Sequence, residues 1–164
     1  MTKSPLGCIL KKGVMGDLTE NFSRSEFTCK CGCGFDDISL ELVNELQTFR
    51  NLLWITTGKP HKIRIESGCR CVPHNKSVGG ATNSAHLYGW ASDIKFGVVA
   101  VNVAARIAYL STRLGISRFR GIGLYKGKKS MHLDIRFREV RTTPMTWIDK
   151  KYGVDFSQFQ WEHE

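Results

Sequence analysis

Apolar residues recur every three or four positions between Ser39 and about Thr56, at Leu40, Val43, Leu46, Phe49 and Leu53. That period predicts a helix with one buried face. Ser39 stands where an N-cap belongs, and Gly58 and Pro60 end the run. The same period returns from Val98 to Leu114 and closes at Gly115, predicting a second amphipathic helix. A shorter helical start falls between Thr19 and Phe27, where Thr19, Asn21 and Ser23 are candidate caps and Ser23-Arg-Ser-Glu26 has the spacing of a capping box. Elsewhere the period is two. Lys62 to Glu66 sets Ile63 and Ile65 on one face and reads as a strand. Trp90 to Phe96, Gly121 to Tyr125 and Met131 to Phe137 read as further strands, the last two joined by a turn at Lys126-Gly-Lys-Lys129. Cys29 to Phe35 is a Gly/Cys loop. Gly68 to Ala85 is a long polar loop rich in Gly, Asn and Ser, and loops of that length in compact domains are usually functional. From Thr143 onward the pattern selects neither helix nor strand. The expectation is one α+β domain across residues 1–164, a small antiparallel sheet with helices packed on it.

Composition supports a single core: the chain has 164 residues and is 41% hydrophobic, enough for one domain without disulfides. No run approaches the roughly 18 consecutive apolar residues of a membrane span. Met1 to Gly16 lacks a continuous apolar stretch, which argues against a secretory signal and leads to the expectation of a protein made in the cytoplasm. The formal net charge is +9, from 24 Lys and Arg against 15 Asp and Glu, and favours polyanionic partners. Between Ser67 and Leu133 the only carboxylate is Asp93, set among ten or so lysines and arginines. A lone acid there is held ionised by its basic neighbours or by a metal, unless it is an ordinary surface acid.

The chain has 6 cysteines, at Cys8, Cys29, Cys31, Cys33, Cys69 and Cys71. Five fall in two tight groups, Cys29-Lys-Cys31-Gly-Cys33 and Cys69-Arg-Cys71. Their Cys-x-Cys spacing differs from the Cys-x2-Cys of common zinc ribbons. Reduced thiols packed together, or a redox-dependent cross-link, therefore rank above a second, structural metal at these cysteines.

His86, Asp93 and His132 offer two imidazoles and a carboxylate. Such a three-ligand set leaves a fourth zinc position open, the arrangement of catalytic sites. Spacing alone does not decide the matter, since a histidine is more often a surface or core residue than a ligand.

The stretch Ser67-Gly-Cys-Arg70, then Asn75-Lys-Ser-Val-Gly79-Gly80, then Ser84-Ala-His86-Leu-Tyr-Gly89-Trp-Ala-Ser-Asp93, resembles the zinc D-alanyl-D-alanine carboxypeptidase family. Gly121-Ile-Gly-Leu-Tyr125 and His132-Leu-Asp134-Ile-Arg136 resemble its closing block, and Leu18 to Phe27 with the Cys-Gly-Cys-Gly run resembles the N-terminal stretch of one branch. The resemblance spans about Leu18 to Trp147. It implies the α+β fold shared with the hedgehog signalling domain, one catalytic zinc on His86, Asp93 and His132, and an Arg70 that binds or polarises substrate. Ser84 matches a serine near the substrate. Many members place Glu or Asp three residues before the last zinc histidine as general base; here that position is Lys129. Asp134 is the replacement base, or else an acid that orients a ligand histidine.

The resemblance thus implies a zinc peptidase that cuts peptide bonds of bacterial peptidoglycan stem peptides or cross-links; the compact chain and the missing secretory signal suit a phage lysin acting at the cell wall, and a monomer is expected. The rival is a catalytically inactive, zinc-containing binding module of hedgehog-like fold, favoured by Lys129. Specific nucleic-acid binding rests on charge alone, because neither a recognition helix nor an aromatic stacking motif is present.

Overall fold

The computed structural model describes residues 16–128, 130–136, 143–149, 151–152 and 156. Cys8, Lys129 and Phe137, named above, lie outside the described residues.

Helix α1 spans Arg24–Phe27 and α2 spans Leu40–Thr57; strand β1 spans Ile63–Ser67. Helix α3 covers Val72–Ser77, and a 3-10 turn, Ala85–Tyr88, precedes strand β2 at Ala91–Phe96. Helix α4 is Val101–Arg113, followed by β3 (Gly121–Tyr125), β4 (Ser130–Asp134), β5 (Met145–Ile148) and β6 (Lys151–Tyr152). Among the described residues the strands form one six-stranded sheet in the order β1-β2-β4-β3-β5-β6. Every pairing is antiparallel except β3 with β5, which is parallel. The α+β expectation holds.

Alternation along the strands sends Ile94, Met131, Leu133, Ile122 and Leu124 into the core, each at most 2% exposed. They meet the buried stripe of α2 (Leu42, Val43, Leu46, Phe49, Leu53) and the small residues Ala104, Ala105 and Ala108 of α4. Phe49 is the hinge of this packing, edge-on to Phe119 at 5.9 Å and to Phe96 at 6.2 Å between ring centroids. Burying each such ring contributes roughly 1.5–3 kcal/mol.

Several local expectations change. Leu40 is 56% exposed whereas Leu42 is fully buried. Six positions before Leu46, Leu40 lies about 120° around the helix from the buried stripe, while Leu42 lies one turn back from it. The predicted helix from Thr19 shrinks to α1. Glu26 Oε1 accepts a 2.9 Å bond from the Ser23 backbone N–H, so the reaching-back half of the capping box is made. Residues 16–22 instead form bends closed by bonds from Leu18 and Thr19 to the Phe22 carbonyl. Helix α4 begins at Val101 with Ala100 as N-cap, and Val98 is 88% exposed.

The loop from Gly68 to Ala85 contains helix α3, too short for its period to show in sequence. Pro73 in its first turn has no amide hydrogen to leave unpaired there. The Asn75…Gly79-Gly80 motif then shapes the chain: Asn75 Nδ2 donates to the Ala81 carbonyl at 2.9 Å, and a Cβ on Gly80 would sit 2.1 Å from Asn75 Oδ1. The tail from Thr143, without a readable pattern, supplies β5 and β6. Four- and two-residue strands are too short for alternation to declare itself.

Candidate metal centre

The opposite side of the sheet from the helices carries the polar residues. Asp93 on β2 pairs in register with His132 on β4, and His132 pairs with Gly123 on β3. Ser67, beyond a bulge at the end of β1, stands opposite Asp93. The 3-10 turn sets His86 over this row. Gly89, at φ 64, closes that turn, and a Cβ there would meet the Asp37 carbonyl oxygen at 1.9 Å. Glycine alone combines that conformation with that approach.

The three groups converge. His132 Nδ1 lies 2.9 Å from Asp93 Oδ1. His86 Nε2 lies 3.4 Å from Asp93 Oδ2 and 3.3 Å from His132 Nδ1. The outer nitrogen of each ring is also engaged. His86 Nδ1 donates to the Gly68 carbonyl at 2.6 Å. His132 Nε2 donates to Asp134 Oδ2 at 3.2 Å. This is the outer support that zinc-ligating histidines carry, fixing which nitrogen faces the metal. His86 would ligate through Nε2 and His132 through Nδ1. One ligand atom from each of the three residues can be drawn within 4.8 Å of the others, so the donor set suits a zinc ion.

Electrostatics follow from burial and pairing. Burial drives the His86 imidazole below its ordinary pKa, partly offset by the Asp93 charge; the ring is neutral and ready to ligate. Burial would also raise Asp93, but its interactions with His86 and His132 hold it well below the carboxylate range. Burial opposes charge on His132 too, yet its bonds to Asp134 and Asp93 push it up to about 9. Without metal, His132 is thus an imidazolium between two carboxylates.

Arg70 comes off β1 through its Nε bond to Ser67 Oγ at 2.8 Å, and its Nη2 is ion-paired with Asp93 Oδ2. Its backbone N–H donates to the His86 carbonyl at 3.0 Å, which ties the arginine segment to the histidine turn. Asp134 is fully buried. Its Oδ2 accepts from Arg136 Nε at 2.9 Å and pairs with Nη2 at 2.7 Å. Burial raises the Asp134 carboxyl, but His132 and Arg136 bring it below its ordinary value. Asp134 sits behind His132, at the ring nitrogen turned away from Asp93 and His86. Ser84 is the half-buried residue before the 3-10 turn, two positions from His86.

Trp147 was not legible in sequence. It pairs in register with Gly123 and lies 5.1 Å from His132 between ring centroids. A Cβ on Gly123 would fall 2.2 Å from the indole, and one on Gly121 would fall 2.4 Å from Asp134 Oδ2. The Gly121-Ile-Gly123 spacing therefore clears room on one strand face for a carboxylate and an indole. That spacing was the one available signal, but it did not say what fills the space.

The family model described as Peptidase M15 matches residues 20–134. With most of the chain covered, and with the metal-suited trio inside the matched region, the protein belongs to the Peptidase M15 family, a family of zinc-dependent metallopeptidases. Comparison with curated protein sequences gives no match. Among the described residues, no helix is long and apolar enough to cross a membrane.

Proposed function

We propose that this chain is a zinc peptidase that hydrolyses peptide bonds in peptidoglycan stem peptides or cross-links, acting at the bacterial cell wall in the manner of a phage lysin. The observation that carries the reading is the convergence of His86 Nε2, Asp93 and His132 Nδ1, with both outer ring nitrogens held. A zinc ion held there supplies Lewis-acid chemistry, acidifying a water molecule and polarising the scissile carbonyl.

The chain's own groups then have distinct work. The Gly68 carbonyl and Asp134 orient the two rings and keep the correct tautomers. Arg70 neutralises Asp93 and offers a guanidinium, whose fork suits a substrate carboxylate or a developing oxyanion. Ser84, beside the histidine turn, is assigned to substrate contact. Asp134 is assigned the orienting role and not that of proton shuttle, because it is fully buried, bound to Arg136, and faces the outer nitrogen of His132. The net charge of +9 suits an anionic wall.

The test is zinc content together with muropeptide digestion, for the wild type and His132→Ala. About one zinc at this centre and new amino and carboxyl termini in the wild type only would support the peptidase, and the products would identify the bond. Zinc binding without cleavage of any wall substrate would overturn it in favour of an inactive binding module of hedgehog-like fold.

A further inference from the structure

A second set of donors lies outside the trio. Cys29, Cys31 and Cys33 come from the loop after α1, and Cys71 is the N-cap residue of α3. Their four sulfurs all lie within 4.8 Å of one another. Cys29 Sγ is 3.4 Å from Cys31 Sγ and 3.9 Å from Cys71 Sγ, and Cys31 Sγ is 3.5 Å from Cys71 Sγ. A disulfide would require about 2.05 Å, and all four cysteines are free. Sulfurs placed tetrahedrally at the usual zinc–sulfur distance of about 2.3 Å stand roughly 3.8 Å apart. The observed separations bracket that edge.

The backbone is shaped for convergence. Gly32 and Gly34 adopt φ values of 82 and 80, a conformation that side-chain-bearing residues rarely take. The Gly32 N–H closes a turn on the Cys29 carbonyl at 3.3 Å, and Cys29 N–H bonds the Phe35 carbonyl at 2.7 Å. A three-cysteine run that would point one way in an extended strand is thereby curled around a point. The Cys71 N–H donates to Cys29 Sγ at 3.4 Å, an amide-to-sulfur bond that favours the thiolate a metal requires. Cys69, the neighbour grouped with Cys71 by sequence, stays out: it is buried at 1% exposure, with its N–H on the Phe27 carbonyl at 2.8 Å.

We propose that Cys29, Cys31, Cys33 and Cys71 bind a structural zinc ion as four thiolates, releasing their protons to solvent. The ion would join two loops distant in sequence. It would also fix the residue next to Arg70, whose guanidinium meets Asp93. Its role is therefore to position the arginine side of the centre, and it stands or falls separately from the peptidase reading.

The experiment removes the other zinc site first. Full-length His86→Ala/His132→Ala protein, purified under reducing conditions, should hold about one zinc per chain, and adding Cys33→Ser should abolish it. Cobalt loaded into the wild type gives a check that needs no cysteine variant. The expected signature is strong sulfur-to-cobalt charge transfer in the near ultraviolet, with the intense visible bands of a tetrahedral tetrathiolate. Metal-stripped wild type saturated with cobalt and still lacking those bands would overturn the proposal. So would a histidine double variant that holds no zinc and whose thiols react freely, or a disulfide found within the set.

Discussion

His132 lies between two carboxylates, its Nδ1 2.9 Å from Asp93 Oδ1 and its Nε2 3.2 Å from Asp134 Oδ2. The two carboxylates do different things to one ring. Asp93 engages the inner nitrogen, so its hold on the proton would compete with a metal bound there. Asp134 grips the outer nitrogen and favours the tautomer that would leave Nδ1 free to ligate.

The proton on His132 should make metal-free stability depend on pH. Its folded pKa of about 9 exceeds the ordinary 6.5, so the stabilisation is fully present below about pH 6.5 and is lost as pH rises through about 9. The full effect is on the order of 3 kcal/mol. Thermal unfolding of metal-free protein across that window should show the midpoint falling, and His132→Gln should lack that component. Zinc affinity should rise over the same window, because the metal displaces the proton.

Asp134→Asn should weaken zinc binding by about 10- to 100-fold, as loss of an outer carboxylate partner does. Activity should recover when zinc is added to saturation. Titration of zinc against activity decides the point. A turnover rate that stays depressed at saturating zinc would return Asp134 to the proton-shuttle role.

Arg70→Ala should leave zinc bound, because His86, Asp93 and His132 remain. Hydrolysis should fall by about 10²- to 10³-fold, the usual cost of removing a group that stabilises developing charge. Arg70→Lys should recover little of that, since an ammonium cannot hold both Ser67 and Asp93 as the guanidinium does. Steady-state rates beside zinc content separate substrate loss from metal loss.

Gly123→Ala should displace the indole of Trp147, because the added Cβ would fall 2.2 Å from it. Forced repacking of this kind costs about 1–3 kcal/mol. Thermal denaturation should register that loss, and zinc titration should show weaker binding as the ring beside His132 moves. Unchanged zinc affinity would mean that Trp147 only fills space.

The local grammar of the chain was readable because it depends on neighbours in sequence. The stripe from Val43 to Leu53, the stop at Gly58 and the alternation of Ile63 and Ile65 follow from helix and strand periods. Helix α3 and strand β5 were not readable: six and four residues are too few for a period to emerge. The motif around His86 and Asp93 named candidate ligands by resemblance, but it did not say which ring nitrogen faces inward. That follows from the Gly68 carbonyl behind His86 and from Asp134 behind His132.

The sequence by itself determined the two main helices, most strands, the α+β class and a short set of candidate ligands, since each rests on residue type and local period. Tertiary structure alone decided that Asp134 stands behind His132, that Gly121 and Gly123 clear room for a carboxylate and an indole, and that Cys71 joins Cys29, Cys31 and Cys33 while Cys69 does not. Those facts depend on how strands pair and loops cross, which brings together residues 42 positions apart at the cysteines and 46 apart at the two histidines. No local pattern carries such distances, because the chain between two contacting residues does not record where its ends will meet.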